Sequence, residues 1–245
     1  MTNEMYRKLG IIGGLGPAAS ARLLMRVTEF TRAACDQDHL DITVLSRPQI
    51  PDRTAYLLGQ PGAVSFIEPM QEAALELEKM GCEVLATPCN TAHARITEIA
   101  RPLTSAHFVK MISETLVVAS RLGCTRCGIL ATSGTRATRV YDDVCEAHGI
   151  KAVWPDDAGQ DLVTKVIYDK VKAGGDFDGH SLDTVFAPLI EDGCDGLILA
   201  CTELSVIGCP PHYDGVPIID ALDVLAQRCV VACGAPAYPL YGLTD

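Results

Sequence analysis

The 245-residue sequence has no cluster of basic residues and no long apolar run. Lys and Arg number 20 against 31 Asp and Glu, giving a formal net charge of -11. A nucleic-acid partner is therefore not expected, because binding to phosphates needs a basic patch. No apolar run approaches the roughly 20 residues of a membrane-spanning helix, and the N-terminal apolar run is too short for a signal peptide. We therefore expect no membrane association.

Eleven cysteines are scattered through the chain without the spacing of a metal or disulfide framework. Many stand inside apolar runs, where a free thiol behaves as a small hydrophobic group. Free thiols on this scale indicate a reducing compartment, so we expect a cytoplasmic protein.

Apolar runs alternate with amphipathic stretches from end to end, which predicts a parallel sheet covered by helices on both faces. Among these segments, FVKMI (108–112) is predicted as a strand. TAHARITEIAR (91–101) and TRATRVYDDVCEAHG (135–149) are each predicted as one helix.

The sequence also repeats itself. GCEVLATPCNTA (81–92) and GCDGLILACTEL (193–204) align at an offset of 112 positions, and the turns ending at Gly16 and Gly134 align at 118. We therefore predict an α/β protein of two similar parallel-sheet domains, related by pseudo-twofold symmetry, with the active site in the cleft between them. No Pro/Gly/Ser-rich linker marks the division, which we place at 1–106 plus 216–245 for the first domain and 107–215 for the second.

Cys89 and Cys201 occupy matching positions in this repeat, each after a strand and at the start of a helix. Ligands of open parallel sheets bind beyond the carboxyl ends of the strands, and a helix N-terminus favours a thiolate. Two thiols facing one cleft could remove a proton from one side of a carbon and return it on the other. The remaining cysteines are predicted to be packing residues: Cys35, Cys82, Cys124, Cys127, Cys145, Cys194, Cys209, Cys229 and Cys233.

Five segments in this order, GGLGP, PQIPDRT, PCNTAH, ATSGT and LACTEL, resemble the signature segments of the aspartate/glutamate racemase family, particularly its aspartate racemase branch. The resemblance implies an amino-acid racemase without pyridoxal phosphate or other cofactor, two similar α/β domains and a homodimer. It also implies that Cys89 and Cys201 are the two acid/base thiols. Leu15 departs from the pattern, since many relatives carry methionine there, and it is expected to line the same turn.

The substrate implied is a small acidic amino acid, most simply aspartate. Because an α-proton is very weakly acidic, the developing enolate needs preorganised donors, and Asn90, Thr91 and Thr202 stand at the two helix starts. Thr132 and Thr135, at another strand-to-helix turn, could hold a carboxylate or ammonium group. Asn90 and Thr202 could equally be helix caps.

A dicarboxylic substrate also needs cations. Arg53, after the second strand, is a good bidentate carboxylate binder. Lys172 matches the lysine that the resembled family uses in its cleft. Without the resemblance, a lysine closing a helix is more often a surface charge.

Other interpretations remain open. GLGPAA (14–19) satisfies a dinucleotide-binding pattern, although the second strand lacks the acidic residue that would bind ribose. His93 lies four residues after Cys89, which could indicate a thiol hydrolase, although a structural role beside the cleft is favoured. Cys124 and Cys127 form a lone C-x-x-C for which zinc is not expected. A maleate-type cis-trans isomerase and a non-catalytic small-acid binding protein are the rival functions.

Overall fold

The computed structural model describes residues 6–172, 180 and 182–243, with 170–172 described by their backbone alone. The first sheet consists of β1 (Leu9–Gly13), β2 (Ile42–Ser46), β3 (Val84–Ala86) and β4 (His107–Phe108). The second consists of β5 (Arg126–Leu130), β6 (Lys151–Val153), β7 (Gly196–Leu199), β8 (His212–Tyr213) and β9 (Val216–Asp220).

The two sheets have the same topology. The first is parallel throughout in the order β2-β1-β3-β4, and the second runs β6-β5-β7-β9-β8. Strand β8 is the exception, because it pairs antiparallel with β9 and was not predicted. If β8 is set aside, β1, β2, β3 and β4 correspond in order to β5, β6, β7 and β9. The predicted α/β architecture of two similar parallel sheets is confirmed.

Helices cover both faces of each sheet. Their bounds are α1 (Pro17–Phe30), α2 (Arg53–Leu57), α3 (Ile67–Lys79), α4 (Asn90–His93), α5 (Ile96–Ala100), α6 (Met111–Arg121), α7 (Ser133–Ala137), α8 (Val140–Ala147), α9 (Asp157–Lys165), α10 (Asp183–Glu191), α11 (Thr202–Val206) and α12 (Ala221–Ala232). A 3₁₀ turn (Asp36–Asp38) and a π-helical segment (Val166–Lys172) complete them. None of the helices in the described ranges has the length and apolar character needed to cross a bilayer.

Alternation along β1 sends its side chains into two separate cores. Leu9 and Ile11 pack with Leu23 of α1 on one face, whereas Ile12 packs with Met70 of α3 on the other. All of these side chains are buried. The continuous apolar character of the strand therefore reflects burial on both faces, as parallel sheets require.

Two helices cross between the sheets. Helix α6 follows β4 of the first sheet, yet its Leu116 lies in a core cluster with Ile198 of the second. Helix α12 follows β9 of the second sheet, yet its Leu222 and Leu225 pack with Leu9 of the first. The chain thus changes sides after β4 and again after β9. The predicted division at 107 and 216 falls one strand before each crossing, and we propose that the domain boundaries lie at the crossings.

Three predicted elements differ from the structure. FVKMI is not a strand beyond Phe108, because Lys110 is the N-cap position of α6 and Met111 begins the helix. The helix predicted over 91–101 is two short helices separated at Ala94 and Arg95. The one predicted over 135–149 breaks at Arg139, whose φ of 55° is left-handed and ends a helix.

All eleven cysteines are free thiols. Cys82, Cys124, Cys127, Cys145, Cys194, Cys229 and Cys233 are buried as predicted. Cys35 is exposed and Cys209 is only partly buried, so the packing role predicted for Cys35 is wrong. Cys35 stands directly before the surface 3₁₀ turn, where few neighbours are available to cover it.

Candidate active site

A narrow cavity lies at the carboxyl ends of the central strands of both sheets. Both Cys89 and Cys201 line it, which brings together the two thiols that the sequence repeat singles out. The other lining residues are Leu15, Asp52, Arg53, Thr54, Asn90, Thr91, Thr132, Thr202 and Glu203. A wider cavity lined by Trp154, Pro155 and Leu189 contains neither thiol.

Cys89 is the residue that precedes α4, in extended conformation, and only 6% of it is exposed. Its backbone carbonyl accepts a hydrogen bond of 2.9 Å from His93 Nδ1. His93 Nε2 faces the amide of Met111, which donates to it at 3.2 Å. Burial lowers the pKa of His93, so the ring stays neutral. The imidazole therefore holds the Cys89 backbone, and this bonding does not form the thiol–imidazole dyad of a hydrolase.

Cys201 occupies the equivalent position before α11 and is 5% exposed. Its Sγ donates a hydrogen bond of 3.0 Å to Oε2 of Glu203, a carboxylate that is itself buried. The sequence did not indicate a role for Glu203, although it directly follows Thr202 in the LACTEL segment. A carboxylate in contact with a thiol favours the protonated sulfur.

Thr202 ties the two cysteine turns to each other. Its hydroxyl donates to the carbonyl of Pro88 at 2.9 Å, across 114 positions of sequence. The turn carrying Cys89 and the turn carrying Cys201 are therefore in direct contact. In this arrangement the Thr202 hydroxyl hydrogen is used in the contact between the two turns. The role of Thr202 in substrate binding stays a prediction.

Arg53 opens α2 after the capping residue Asp52 and is only 9% exposed. Its Nη1 donates to the Pro51 carbonyl at 3.0 Å and its Nη2 to the Leu15 carbonyl at 3.1 Å. Leu15 is buried in the turn after β1. The guanidinium thus fixes that turn against α2, a structural duty that the sequence does not reveal.

Among the described residues that line the cavity, Arg53 is the one with a cationic side chain. Burial acts to lower the pKa of Arg53, but the charges of Cys89, Asp52 and Glu203 hold it above its ordinary value. The Arg53 guanidinium interacts with the Cys89 side chain. The two cysteines therefore have opposite neighbours, a cation at Cys89 and an anion at Cys201.

Three threonine hydroxyls form a closed triangle beside the thiols. Thr91 Oγ1 lies 3.1 Å from Thr132 Oγ1 and 3.0 Å from Thr135 Oγ1, and the last two are 3.1 Å apart. Thr132 also caps α7 by accepting from the Thr135 amide. Thr91 belongs to the first half of the chain and the other two to the second, so the triangle joins the halves. All three are predicted substrate-binding residues, and the structure brings them together.

Gly134 allows this meeting of α2 and α7. A Cβ built on it would lie 2.8 Å from Thr54 Oγ1 and 2.9 Å from Thr54 Cα. Real Cβ atoms do not approach other atoms so closely, so any larger residue would push the helices apart. The glycine of ATSGT is therefore required by contact between the two halves.

Asn90 is 2% exposed, and its Oδ1 accepts a hydrogen bond of 2.7 Å from the Tyr141 hydroxyl. Tyr141 was not predicted as a site residue, because the contact spans 51 positions and joins α4 to α8.

Lys172 ends the π-helical segment. Its side chain lies outside the described residues, so its predicted role in substrate binding stays a prediction.

The turn after β1 is already occupied by protein groups. Besides the guanidinium on the Leu15 carbonyl, Glu203 Oε1 lies 3.2 Å from where a Cβ of Gly16 would be. A carboxylate facing the glycine turn opposes a phosphate there, which disfavours the dinucleotide interpretation.

The C-x-x-C pair lies elsewhere. One ligand atom each of Cys124, Cys127 and Asp195 lie within 4.8 Å of one another. The Asp195 carboxylate is already bonded, since its Oδ1 accepts from the amides of Thr125 and Arg126 at 2.9 Å each. The expected absence of zinc stays a prediction.

Comparison with known proteins gives a consistent result. The profile of the Asp/Glu/hydantoin racemase family matches residues 12–229. The broad specificity amino-acid racemase RacX of Bacillus subtilis is 25% identical over 228 residues, covering 91% of this chain and 96% of that protein. The aspartate racemase of Picrophilus torridus superimposes with a TM-score of 0.80 at 29% identity, covering 94% of this chain and 96% of that one. The glutamate racemase of Francisella tularensis, solved with D-glutamate, shares the fold at a TM-score of 0.62 and 15% identity, with 92% and 80% covered.

Proposed function

Because this chain belongs to the Asp/Glu/hydantoin racemase family and is an amino-acid racemase, we propose that it interconverts the enantiomers of aspartate or a close acidic amino acid. Cys89 and Cys201 are the two acid/base groups of this proposal, which uses no pyridoxal phosphate. The observation that carries it is the cavity shared by the two thiols. The likeness to an aspartate racemase over nearly the whole chain supports the choice of substrate.

The neighbours of the two sulfurs differ in charge. Arg53 is the cationic neighbour of Cys89, while the Cys201 Sγ donates its hydrogen to Glu203 Oε2 at 3.0 Å. The proposed scheme therefore starts with Cys89 as the base and Cys201 as the acid. In one direction the Cys89 thiolate takes the α-proton and becomes a thiol. The Cys201 thiol then gives its proton to the opposite face of the carbon and becomes a thiolate. The product form of the enzyme serves the other enantiomer directly, or returns to the resting form by exchanging one proton with solvent.

Charge that develops on the substrate carboxylate needs donors already in place. Asn90, Thr91 and Thr132 are polar groups of the right kind that line the cavity, and Thr135 bonds to both threonines from behind them. Each triangle hydroxyl now bonds to another, so a bound carboxylate would compete for the same hydrogens. Leu15, Thr202, Lys172 and Arg53 complete the proposed substrate-binding set.

Two further properties belong to this proposal. The resemblance to the family supports a homodimer. The eleven free thiols support a reducing, cytoplasmic location, because disulfides are rare there.

The test is a chiral assay against single-enantiomer amino acids without added pyridoxal phosphate, repeated in D2O. Aspartate or glutamate should show the highest turnover, and turnover of maleate instead would favour the rival isomerase. Ligand-stabilised melting without α-deuterium exchange would favour a binding protein.

Cysteine variants test the two-base scheme directly. Cys89→Ser and Cys201→Ser should each lower racemisation by about 10²–10⁴-fold, the usual contribution of a positioned acid or base. Each should still exchange the α-hydrogen of one enantiomer, and the two variants should prefer opposite enantiomers. Cys82→Ser and Cys194→Ser are matched controls, since these buried thiols precede the same strands. Full racemisation by either of the first two variants would refute the scheme.

A further inference from the structure

The Asn90 side chain combines one satisfied and one unsatisfied polar atom. Its Oδ1 accepts from the Tyr141 hydroxyl at 2.7 Å. Its Nδ2 is buried and has no hydrogen-bond partner among the described residues. An amide with free donors inside a protein costs free energy unless something binds them. Since Asn90 lines the cavity beside both thiols, a ligand in that cavity is the natural partner.

Tyr141 is not itself part of the cavity wall. It is fully buried in α8, in the core cluster that includes Ile129 and Ile198 of the second sheet. Only its hydroxyl reaches across to α4. Burial raises the pKa of Tyr141 well above its ordinary value, so the hydroxyl remains a donor at any working pH. The hydrogen bond to Asn90 is the contact by which Tyr141 touches the cavity wall, and we expect it to act through that contact.

We propose that Tyr141 is a positioning residue that holds the carbonyl oxygen of the Asn90 amide and thereby turns the Nδ2 group toward the substrate carboxylate. This inference rests on the proposed function and deepens it. A primary amide can present either its oxygen or its nitrogen to the cavity, and only the nitrogen stabilises a carboxylate that gains charge as the α-proton leaves. The bond from Tyr141 selects that orientation before the substrate arrives, which is the preorganisation that such stabilisation requires.

Tyr141→Phe tests the proposal because it removes one oxygen and keeps the ring in its core. We expect kcat/KM to fall by roughly 10–100-fold, less than the about 10²–10³-fold loss of an entire oxyanion donor. The loss should appear mainly in kcat, because the interaction strengthens as charge develops.

Tyr241→Phe is the matched control. The Tyr241 hydroxyl also takes part in a 2.7 Å hydrogen bond, accepting from the Asp220 amide away from the cavity. We expect Tyr241→Phe to lower Tm about as much as Tyr141→Phe does. It should leave kcat/KM within about threefold of the wild type, because the substitution is remote from the cavity.

A double-mutant cycle with Asn90→Ala distinguishes positioning from general damage. If Tyr141 acts through Asn90, adding Tyr141→Phe to Asn90→Ala should lower kcat/KM no further. Independent, multiplying losses would overturn the proposal, as would a Tyr141→Phe enzyme with wild-type kcat.

Asn90→Asp covers the case in which Tyr141→Phe does not fold. This variant keeps the acceptor for Tyr141 and replaces Nδ2 by an oxygen, so it should fold and lose at least as much kcat/KM as expected for Tyr141→Phe. Wild-type kcat/KM in this variant would also refute the proposal.

The substrate for these assays is whichever amino acid shows the highest turnover in the chiral panel. Every amino acid has the α-carboxylate that the Asn90 amide would bind. A preference for neutral substrates would therefore refute the proposed specificity for acidic amino acids without affecting the double-mutant cycle of Tyr141 and Asn90. A failure of the two-base scheme would appear in the cysteine variants alone.

Discussion

Replacing Gly134 by alanine inserts a methyl group where α7 meets α2. The new Cβ would lie 2.8, 2.9 and 3.0 Å from Oγ1, Cα and Cβ of Thr54. Ordinary contacts between carbon atoms are about 3.5–4.0 Å, so relief requires a separation of roughly 0.6–1 Å. One of the crowded atoms belongs to the backbone, and rotation of the Thr54 side chain cannot relieve it.

The effect on stability should be small. Overpacking costs about 1–3 kcal/mol, while alanine in place of glycine favours a helix by about 1 kcal/mol. The net loss is roughly 0–2 kcal/mol. Because 1 kcal/mol shifts Tm by about 2–4 °C in a chain of this size, the variant should remain folded at room temperature.

The effect on activity should be larger. Moving α7 away from α2 moves Thr132 and Thr135 away from Arg53, and a misplacement of about 1 Å can cost 10²-fold in rate. We expect kcat/KM for the best substrate to fall by about 10–100-fold in both directions equally, since the enantiomers have the same free energy. Initial rates by chiral chromatography measure it.

Gly159→Ala is the control for crowding alone. Its Cβ would lie 2.9 Å from Pro155 Cβ, in α9 and beside the wider cavity. It should lower Tm comparably and leave kcat/KM near that of the wild type. If Gly134→Ala retains wild-type kcat/KM, the spacing of α2 and α7 does not position the site and the reasoning fails.

Three further predictions concern buried titratable groups. Glu203→Gln should lower the thiol pKa of Cys201, because a carboxylate beside the sulfur is removed. The difference in thiolate absorbance between each protein and its Cys201→Ser variant, followed against pH, isolates this thiol, and an unchanged difference curve would contradict the contact. Burial raises the pKa of Asp220 to about 6, so its folded form binds extra protons and stability falls as pH rises from about 4 through 6. Asp220→Asn should remove that fall in denaturant titrations at several pH values. Burial lowers the pKa of His93 in the folded protein, so the free energy of unfolding falls as the pH drops below the ordinary pKa of histidine. His93→Ala should abolish this pH dependence and lower the free energy of unfolding by about 2–5 kcal/mol, because two buried hydrogen bonds are lost. If the variant and the wild type lose stability equally in acid, the prediction is wrong.

The sequence predicted the elements that depend on local pattern. Continuous apolar runs such as those of β1 and β7 predicted buried parallel strands, and the repeat of Cys89 and Cys201 predicted two thiols at equivalent strand ends. Both thiols line one cavity. Segments without a decisive pattern were predicted less well. FVKMI is apolar enough for a strand or a helix, and its apolar pattern did not show that the strand ends at Phe108 and a helix begins at Met111.

The contacts that the sequence did not reveal join residues distant in sequence. The Tyr141 hydroxyl reaches Asn90 only because α8 and α4 come from opposite halves. The duties of Arg53 toward backbone carbonyls and of Thr202 toward Pro88 have the same origin. None carries a periodicity or spacing that a single sequence displays.

The exchange of α6 and α12 between the sheets limits how the protein can be divided. Cutting the chain after β4 would leave one fragment without the helix that covers Leu9 and the other with a helix meant for a different sheet. Neither fragment would bury its own apolar surface. For the same reason, the halves cannot swing widely apart to admit a substrate without stripping a helix from its core. We therefore expect substrate to reach the thiols through the turns at the rim of the cavity.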